Sequence, residues 1–383
     1  MATLGTDRGA RISAAVLLLA LSGLLIPAAT ALAAVVNPAS GGTAISADEA
    51  GTSTFTPLVG PVIAESAAGE FAVGSTTVLD LPEGFRFNLD AGTLSIGGTG
   101  CDLRGQLSIT STQATFTVTQ NSSTSGCLVM FVGLEVQPTS GNGLASGNIT
   151  KSGTSAAPGG TMNYGTLRVV AGAVTGLEFL DEPRANNAGG TAFGNEPRVL
   201  VIDQFGNDVA LAPVTLSIAP GTGPAGAHLT CTSNPVMTDL NGVADFSGSG
   251  CGIDRAGRYK LRARSGRASR NSDTLSVGVG PAVKLLFTAY PAATTKSTRS
   301  FEPRVVLADA GGNTVTTFPA SDITLAINKN ASRFSCAGGL SARTVNGVAQ
   351  FHGCKETAVG TGYRLTAWIG FASTVGRTFK VTH

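Results

Sequence analysis

The sequence is poor in the residue types that chemistry needs. Charged residues make up 13% and aromatics 6%, with one Trp and three His, where a quarter charged is usual. The His are His228, His352 and the terminal His383, too few and too scattered for a Ser-His-Asp set. No G-x-S-x-G, H-E-x-x-H or P-loop stretch occurs. The sparse carboxylates single out no glycosidase pair. No C-x-x-C spacing or nearby His offers a zinc site. Asp203 and Asp309 each bring one carboxylate and an Asn, against the six to eight oxygens that calcium takes. An enzyme is therefore not expected, nor a cofactor or a metal. The net charge of +2 provides no field to draw nucleic acid. Beyond the first 33 residues no run is long and apolar enough to span a bilayer.

The first 33 residues read as a secretory signal. Arg8 and Arg11 precede an apolar run from Ile12 to Ile26, and Ala31-Leu32-Ala33 supplies a small-x-small cleavage site. Ala34 is then the first mature residue, and the chain is expected to be secreted or associated with the cell surface. Helix is not expected to build the remainder, because 51 Gly and 17 Pro are spread through it. Abundant Thr, Ser and Val suit short strands joined by turns.

The six Cys are an even number in an exported chain, where disulfides are the default. They fall into three local pairs: Cys101 with Cys127, Cys231 with Cys251, and Cys336 with Cys354.

Internal repetition is the strongest pattern. Glu196-Pro197-Arg198-Val199 returns as Glu302-Pro303-Arg304-Val305, and Asp203 with Gly206-Asn207 returns as Asp309 with Gly312-Asn313. Val214-Thr215-Leu216-Ser217-Ile218 returns as Ile323-Thr324-Leu325-Ala326-Ile327, and Asn241-Gly242-Val243-Ala244 as Asn346-Gly347-Val348-Ala349. Gly257-x-Tyr259-x-Leu261 matches the later Tyr363-x-Leu365, and the paired Cys recur in register. The period is about 105 residues. It divides the chain into an N-terminal segment, 34–172, a first repeat, 173–279, and a second, 280–383.

Each repeat holds about seven short strand-like segments. In the first they are 174–180, 196–203, 213–218, 227–232, 242–247, 256–264 and 273–279. Val214, Leu216 and Ile218 alternate with Thr215 and Ser217, the period of a half-buried strand. The segment 196–203 is apolar on both faces and reads as central. The Asp-x-x-Gly-Asn and Asn-Gly stretches are turn chemistry. Seven strands in about 100 residues predict an Ig-like β-sandwich.

Over about 173–383 these motifs resemble the bacterial Ig-like, invasin-type tandem domains of exported surface proteins. The resemblance rests on E-P-x-V-x-x-x-D-x-x-G-N, the V-T-L-x-I strand, N-G-V-A-x-F and the late G-x-Y-x-L strand. It implies a spacer or a binding tip. One departure from antibody-type domains concerns the disulfides. The Cys lie only 20 and 18 residues apart, and Trp368 follows both members of its pair. Each bridge is therefore expected to tie neighbouring strands, or a loop to a strand, rather than to cross between sheets.

Residues 34–172 do not align with the repeat but also read as β, which makes the whole chain all-β. Strands are expected at 77–81, 85–87, 115–118, 128–136 and 166–170, with 139–160 as a loop or linker. The stretch Leu81-Pro82-x-Gly84-Phe85-x-Phe87 and the later run from Gly141 to Ser155 look like modules found beside bacterial Ig-like repeats. This segment is expected to be a further β-sandwich.

The densest charge cluster is Arg255, Arg258, Lys260, Arg262, Arg264, Arg267 and Arg270. Arg258, Lys260, Arg262 and Arg264 alternate with Tyr259, Leu261 and Ala263, which places the four on the outward face of one strand. They are candidates for binding a polyanion, against the plainer reading of a solvated strand guarded from aggregation by charge. The expected function is structural, as a spacer or adhesin outside the cell, with an envelope glycan or another surface protein as partner. A carbohydrate- or polyanion-binding module is the alternative, and a hydrolase with an unrecognised site a more distant one.

Overall fold

The computed structural model describes residues 33–184 and 188–383. The expected signal segment, except Ala33, lies outside the described residues. The fold is all-β. Helix among the described residues is limited to three-residue 3-10 turns at Gly42–Ala44, Ala47–Glu49 and Ala331–Arg333. No described helix is long and apolar enough to cross a membrane.

Three separate hydrophobic cores follow one another along the chain. The first is built from Ala34 to Val169, with Phe71, Phe116, Phe131 and Tyr164 fully buried. Two sheets enclose it. One pairs the long strand Leu128–Pro138 with Thr56–Ala64, Phe85–Phe87 and Thr93–Gly97. The other runs through Gly165–Val170, Ser146–Ser152, Thr76–Asp80, Gln113–Gln120 and Arg104–Ile109. The strand Ser146–Ser152 corrects the expectation of a loop over 139–160. It brings only Ile149 to the core, so it shows no apolar alternation. Backbone pairing on both sides holds it instead, to Gly165–Val170 and to Thr76–Asp80.

The second core spans Leu177 to Val277 and the third Leu285 to Val381. The two repeats share one strand plan. In the first, Arg198–Ile202 lies centrally between Gly176–Asp181 and Val243–Asp245. In the second, Arg304–Ala308 lies between Lys284–Ala289 and Val348–Gln350. Across each core stands a four-stranded sheet. Its order is Val236–Met237, Pro213–Ile218, Leu261–Ser265, Ala268–Asn271 in the first repeat. It is Ser341–Arg343, Asp322–Ile327, Leu365–Ile369, Ala372–Val375 in the second. These are Ig-like sandwiches.

Two repeated motifs have clear structural causes. The Tyr of the late strand is fully buried in both copies, and its hydroxyl needs a partner there. Tyr259 donates to the Arg255 carbonyl at 2.7 Å and Tyr363 to the Ala358 carbonyl at 2.9 Å. The Cys close off the end of a two-stranded ladder. Thr230 pairs with Gly252, and Cys231 and Cys251 bond immediately beyond them. Ser335 pairs with Lys355, and Cys336 and Cys354 bond in the same way. Each bridge thus ties neighbouring strands. In the first unit Cys101, in a loop, bonds Cys127 at the start of the long strand Leu128–Pro138.

Candidate functional site

Within a repeat the first strand runs away from the point where the chain arrives, and Arg198–Ile202 runs back to it. The Asp-x-x-Gly-Asn turn that follows therefore stands at the leading end of the repeat. The last strand pairs Leu275 with Tyr259 and Val277 with Gly257, so it leaves at the other end. Each leading turn meets the unit before it.

At the first junction Asp203 is buried, with 2% of its surface exposed. Its Oδ1 accepts the backbone N–H groups of Phe205 and Asn207 at 2.8 and 2.9 Å. Its Oδ2 accepts Asn207 Nδ2 and the linker N–H of Gly172, both at 2.8 Å. Burial alone would raise the Asp203 pKa. The bonds from Asn207, Gly172 and Phe205 outweigh it and hold the carboxyl below its ordinary value. Asn207 Nδ2 also donates to the Gly141 carbonyl of the first unit at 2.7 Å. From the other side, Asp48 accepts Ala173 N–H at 2.7 Å and Gln204 Nε2 at 2.9 Å. The Phe205 ring packs against the first core and lies where a side chain on Gly141 would stand, 2.3 Å from its Cβ position.

The second junction repeats the plan. Asp309 is fully buried, and its Oδ2 accepts the linker N–H of Gly280 at 2.9 Å. Asn313 reaches back into the first repeat, donating Nδ2 to the Asp254 carbonyl at 2.8 Å. Its Oδ1 accepts Ala256 N–H at 2.9 Å. Where Phe205 stood there is now Gly311, whose N–H donates to the Gly189 carbonyl at 2.9 Å. A Cβ on Gly311 would fall 1.9 Å from the Asp254 oxygen, so the backbones touch with no side chain between. The carboxylate oxygens of Asp203 and Asp309 are all engaged by N–H donors.

The cationic candidates sit elsewhere. The expected single strand 256–264 is two strands, Gly257–Tyr259 and Leu261–Ser265. The chain changes sheet at Lys260, pairing first with Leu275–Val277 and then with Pro213–Ile218. The alternation survives the change. Tyr259, Leu261 and Ala263 are fully buried, while Arg258 and Arg264 are exposed and Lys260 and Arg262 half-buried. The four cations therefore share the outward side. At about 3.3 Å per residue they fall roughly 6.6 Å apart. Arg262 Nε donates to Asn271 Oδ1 at 3.1 Å, and Arg264 Nε to the Gly266 carbonyl at 3.0 Å. Opposite them on the neighbouring strand stand Ser217 and Thr215. Among the described residues none of the four makes an ion pair within 4.0 Å. Arg270 is paired with Ala263 in register and so belongs to the other face, and the charges of Arg270 and Lys260 both act on Glu182. Burial raises the Glu182 pKa, and those two cations act against the rise.

In the second repeat the same face keeps one cation, Arg364, beside exposed apolar side chains. Trp368 is 41% exposed, Phe371 51% and Val375 57%, and the Phe318 and Phe371 rings lie 5.6 Å apart. No described aromatic side chain of the N-terminal unit is exposed in this way. Trp368 lies on the strand Leu365–Ile369, and Phe318 reaches Phe371 from a distant loop. A cleft of about 570 Å³ in this repeat is lined by Thr294, Thr295, Lys296, Arg299, Phe301 and Thr382 among others, with no carboxylate or His in its wall.

No family model and no curated protein matches the chain. Among solved structures it is similar to the Escherichia coli adhesin FdeC, at 13% identity over 91% of this chain and 100% of that one, with a TM-score of 0.30. It is similar to invasin, a bacterial integrin-binding protein, at 11% identity over 92% of this chain and 60% of that one, with a TM-score of 0.24. The Yersinia pseudotuberculosis adhesin InvE matches at 15% identity over 64% of this chain and 59% of that one, with a TM-score of 0.21.

Proposed function

We propose that this chain is an exported, non-enzymatic spacer and adhesion protein that works at or outside the cell surface. Its units are 34–172, 173–279 and 280–383, set end to end. The observation that carries the reading is the repeated junction. The same Asp-x-x-Gly-Asn turn captures the linker N–H and a backbone carbonyl of the preceding unit, through Asp203 and Asn207, then Asp309 and Asn313. Free linkers would serve units that act independently. Buried joints serve units that must hold a fixed direction and reach. At each joint one linker N–H bonds the buried carboxylate, worth about 1.5–3 kcal/mol, and the Asn amide adds a bond to the preceding unit, which together oppose bending. Three disulfides fit an oxidising location.

Small-angle scattering of the full chain tests this reading. The intact protein should fit one fixed arrangement, and the Asp309→Ala/Asn313→Ala variant should need an ensemble of bent forms. An intact protein that already needs an ensemble overturns the spacer reading. Fractionation of the native cells tests the location, and recovery in the cytosol overturns it.

A further inference from the structure

We infer that the outward face of the first repeat is a docking surface for an extended acidic polysaccharide, gripped by Arg258, Arg262 and Arg264. Charge complementarity is the first ground. Three guanidinium groups on one side of the stretch from Gly257 to Ser265 have no carboxylate within ion-pairing distance among the described residues. Lys260 stands in the same row but carries an ammonium in place of a guanidinium. A guanidinium matches a carboxylate or sulfate group through two parallel N–H donors, which a lysine cannot do. The regular spacing of the row suits a polymer that carries its charges along an extended backbone.

The rest of the face decides the kind of polymer. Beside the arginines lie Thr215 and Ser217 on one strand and Ser269 and Asn271 on the other. These hydroxyl and amide groups are exposed and suit sugar hydroxyls. Single-stranded nucleic acid is bound by cationic grooves that also stack its bases on aromatic rings. The strand pairs forming this face present no aromatic side chain outward. The second repeat keeps the backbone and changes the surface. Thr366 and Trp368 replace Arg262 and Arg264 there, so the cations are not a requirement of the sandwich. The surface adds a partner to the row of units proposed above. Scattering judges the row and binding judges the face, so either can fail alone.

The test uses the full-length protein on immobilised heparin as the acidic-polysaccharide probe, over a salt series. The wild type should be retained. Arg258→Ser/Arg262→Ser/Arg264→Ser should lower the affinity at least tenfold. Lys329→Ser/Lys355→Ser/Lys380→Ser removes the same charge from the second repeat and should change it less than twofold. Equal losses in the two variants overturn the proposal, because net charge would then explain the binding. Should the triple variant fail to fold, Arg264→Gln alone, at an exposed position, should still weaken retention about threefold, and no change overturns the proposal. A single-stranded oligonucleotide that binds the wild type as tightly as heparin also overturns it.

Discussion

Arg264 and Trp368 stand at the same point of the fold, each outward on the central strand of its four-stranded sheet and each opposite a threonine, Thr215 or Thr324. The backbone beneath them is the same, and the surface chemistry is opposite. Side chains on this face are free to diverge because the alternate positions, Ala263 and Ala367 among them, carry the packing. Trp368→Arg should therefore fold, with a stability change within about 0.5 kcal/mol, as for other surface substitutions. Trp368 is the only Trp of the chain. Its native fluorescence should be quenched by iodide, and emission insensitive to quencher would contradict its placement.

The disulfides of the repeats close loops of 20 and 18 residues. In the chain-entropy account each restrains the unfolded state by about 3 kcal/mol. Cys231→Ala/Cys251→Ala and Cys336→Ala/Cys354→Ala should each lose stability of that order in urea denaturation. The loss should stay within the repeat that carries the change, because the two cores are separate.

Acid should loosen the first junction through Asp203. Its carboxyl is held below the ordinary value, so the folded state binds the proton less readily than the unfolded chain. The stability it contributes is complete above the ordinary value of 3.8 and is lost as pH falls through the lower, folded value. Thermal melts should show the wild type approaching Asp203→Asn as the pH drops below that point. A gap between the two that stays constant with pH would rule out this role.

Ala34 N–H donates to Glu70 Oε1 at 2.7 Å, and Glu70 Oε2 accepts Ser66 N–H at 2.6 Å. Processing after Ala33 would remove the bond from Ser66 Oγ to the Ala33 carbonyl and leave an ammonium group at Glu70 in its place. Sequencing of the native protein should begin at Ala34. Glu70→Gln should lower the melting temperature of the processed chain more than that of a chain extended by one alanine.

The duplication and the two disulfides within it were legible because they repeat within the sequence, and Cys101–Cys127 because the remaining two Cys lie close together. Strand 213–218 was legible to the residue because its alternation is complete. The edge strand Ala268–Asn271 was not. Ala-Ser-Arg-Asn has no apolar alternation, and one neighbouring strand holds it by backbone bonds. Asp203 and Asn207 could be read as turn formers. Their other role depends on Gly141 and Gly172, tens of residues upstream, and local spacing carries no trace of those partners. The alternation of the cations with Tyr259, Leu261 and Ala263 is local and shows in the spacing, but the division of this stretch between two sheets follows from pairing that only the fold reveals.

Phe205 and Gly311 hold equivalent positions in turns that are otherwise alike, and the difference gives the assembly a polarity. A phenylalanine in place of Gly311 would collide with the Asp254 carbonyl, and a glycine in place of Phe205 would leave its seat on the first core vacant. A copy of the first repeat in second place would set its phenylalanine against the Asp254 carbonyl. Serial order is thus written into a single residue of each joint.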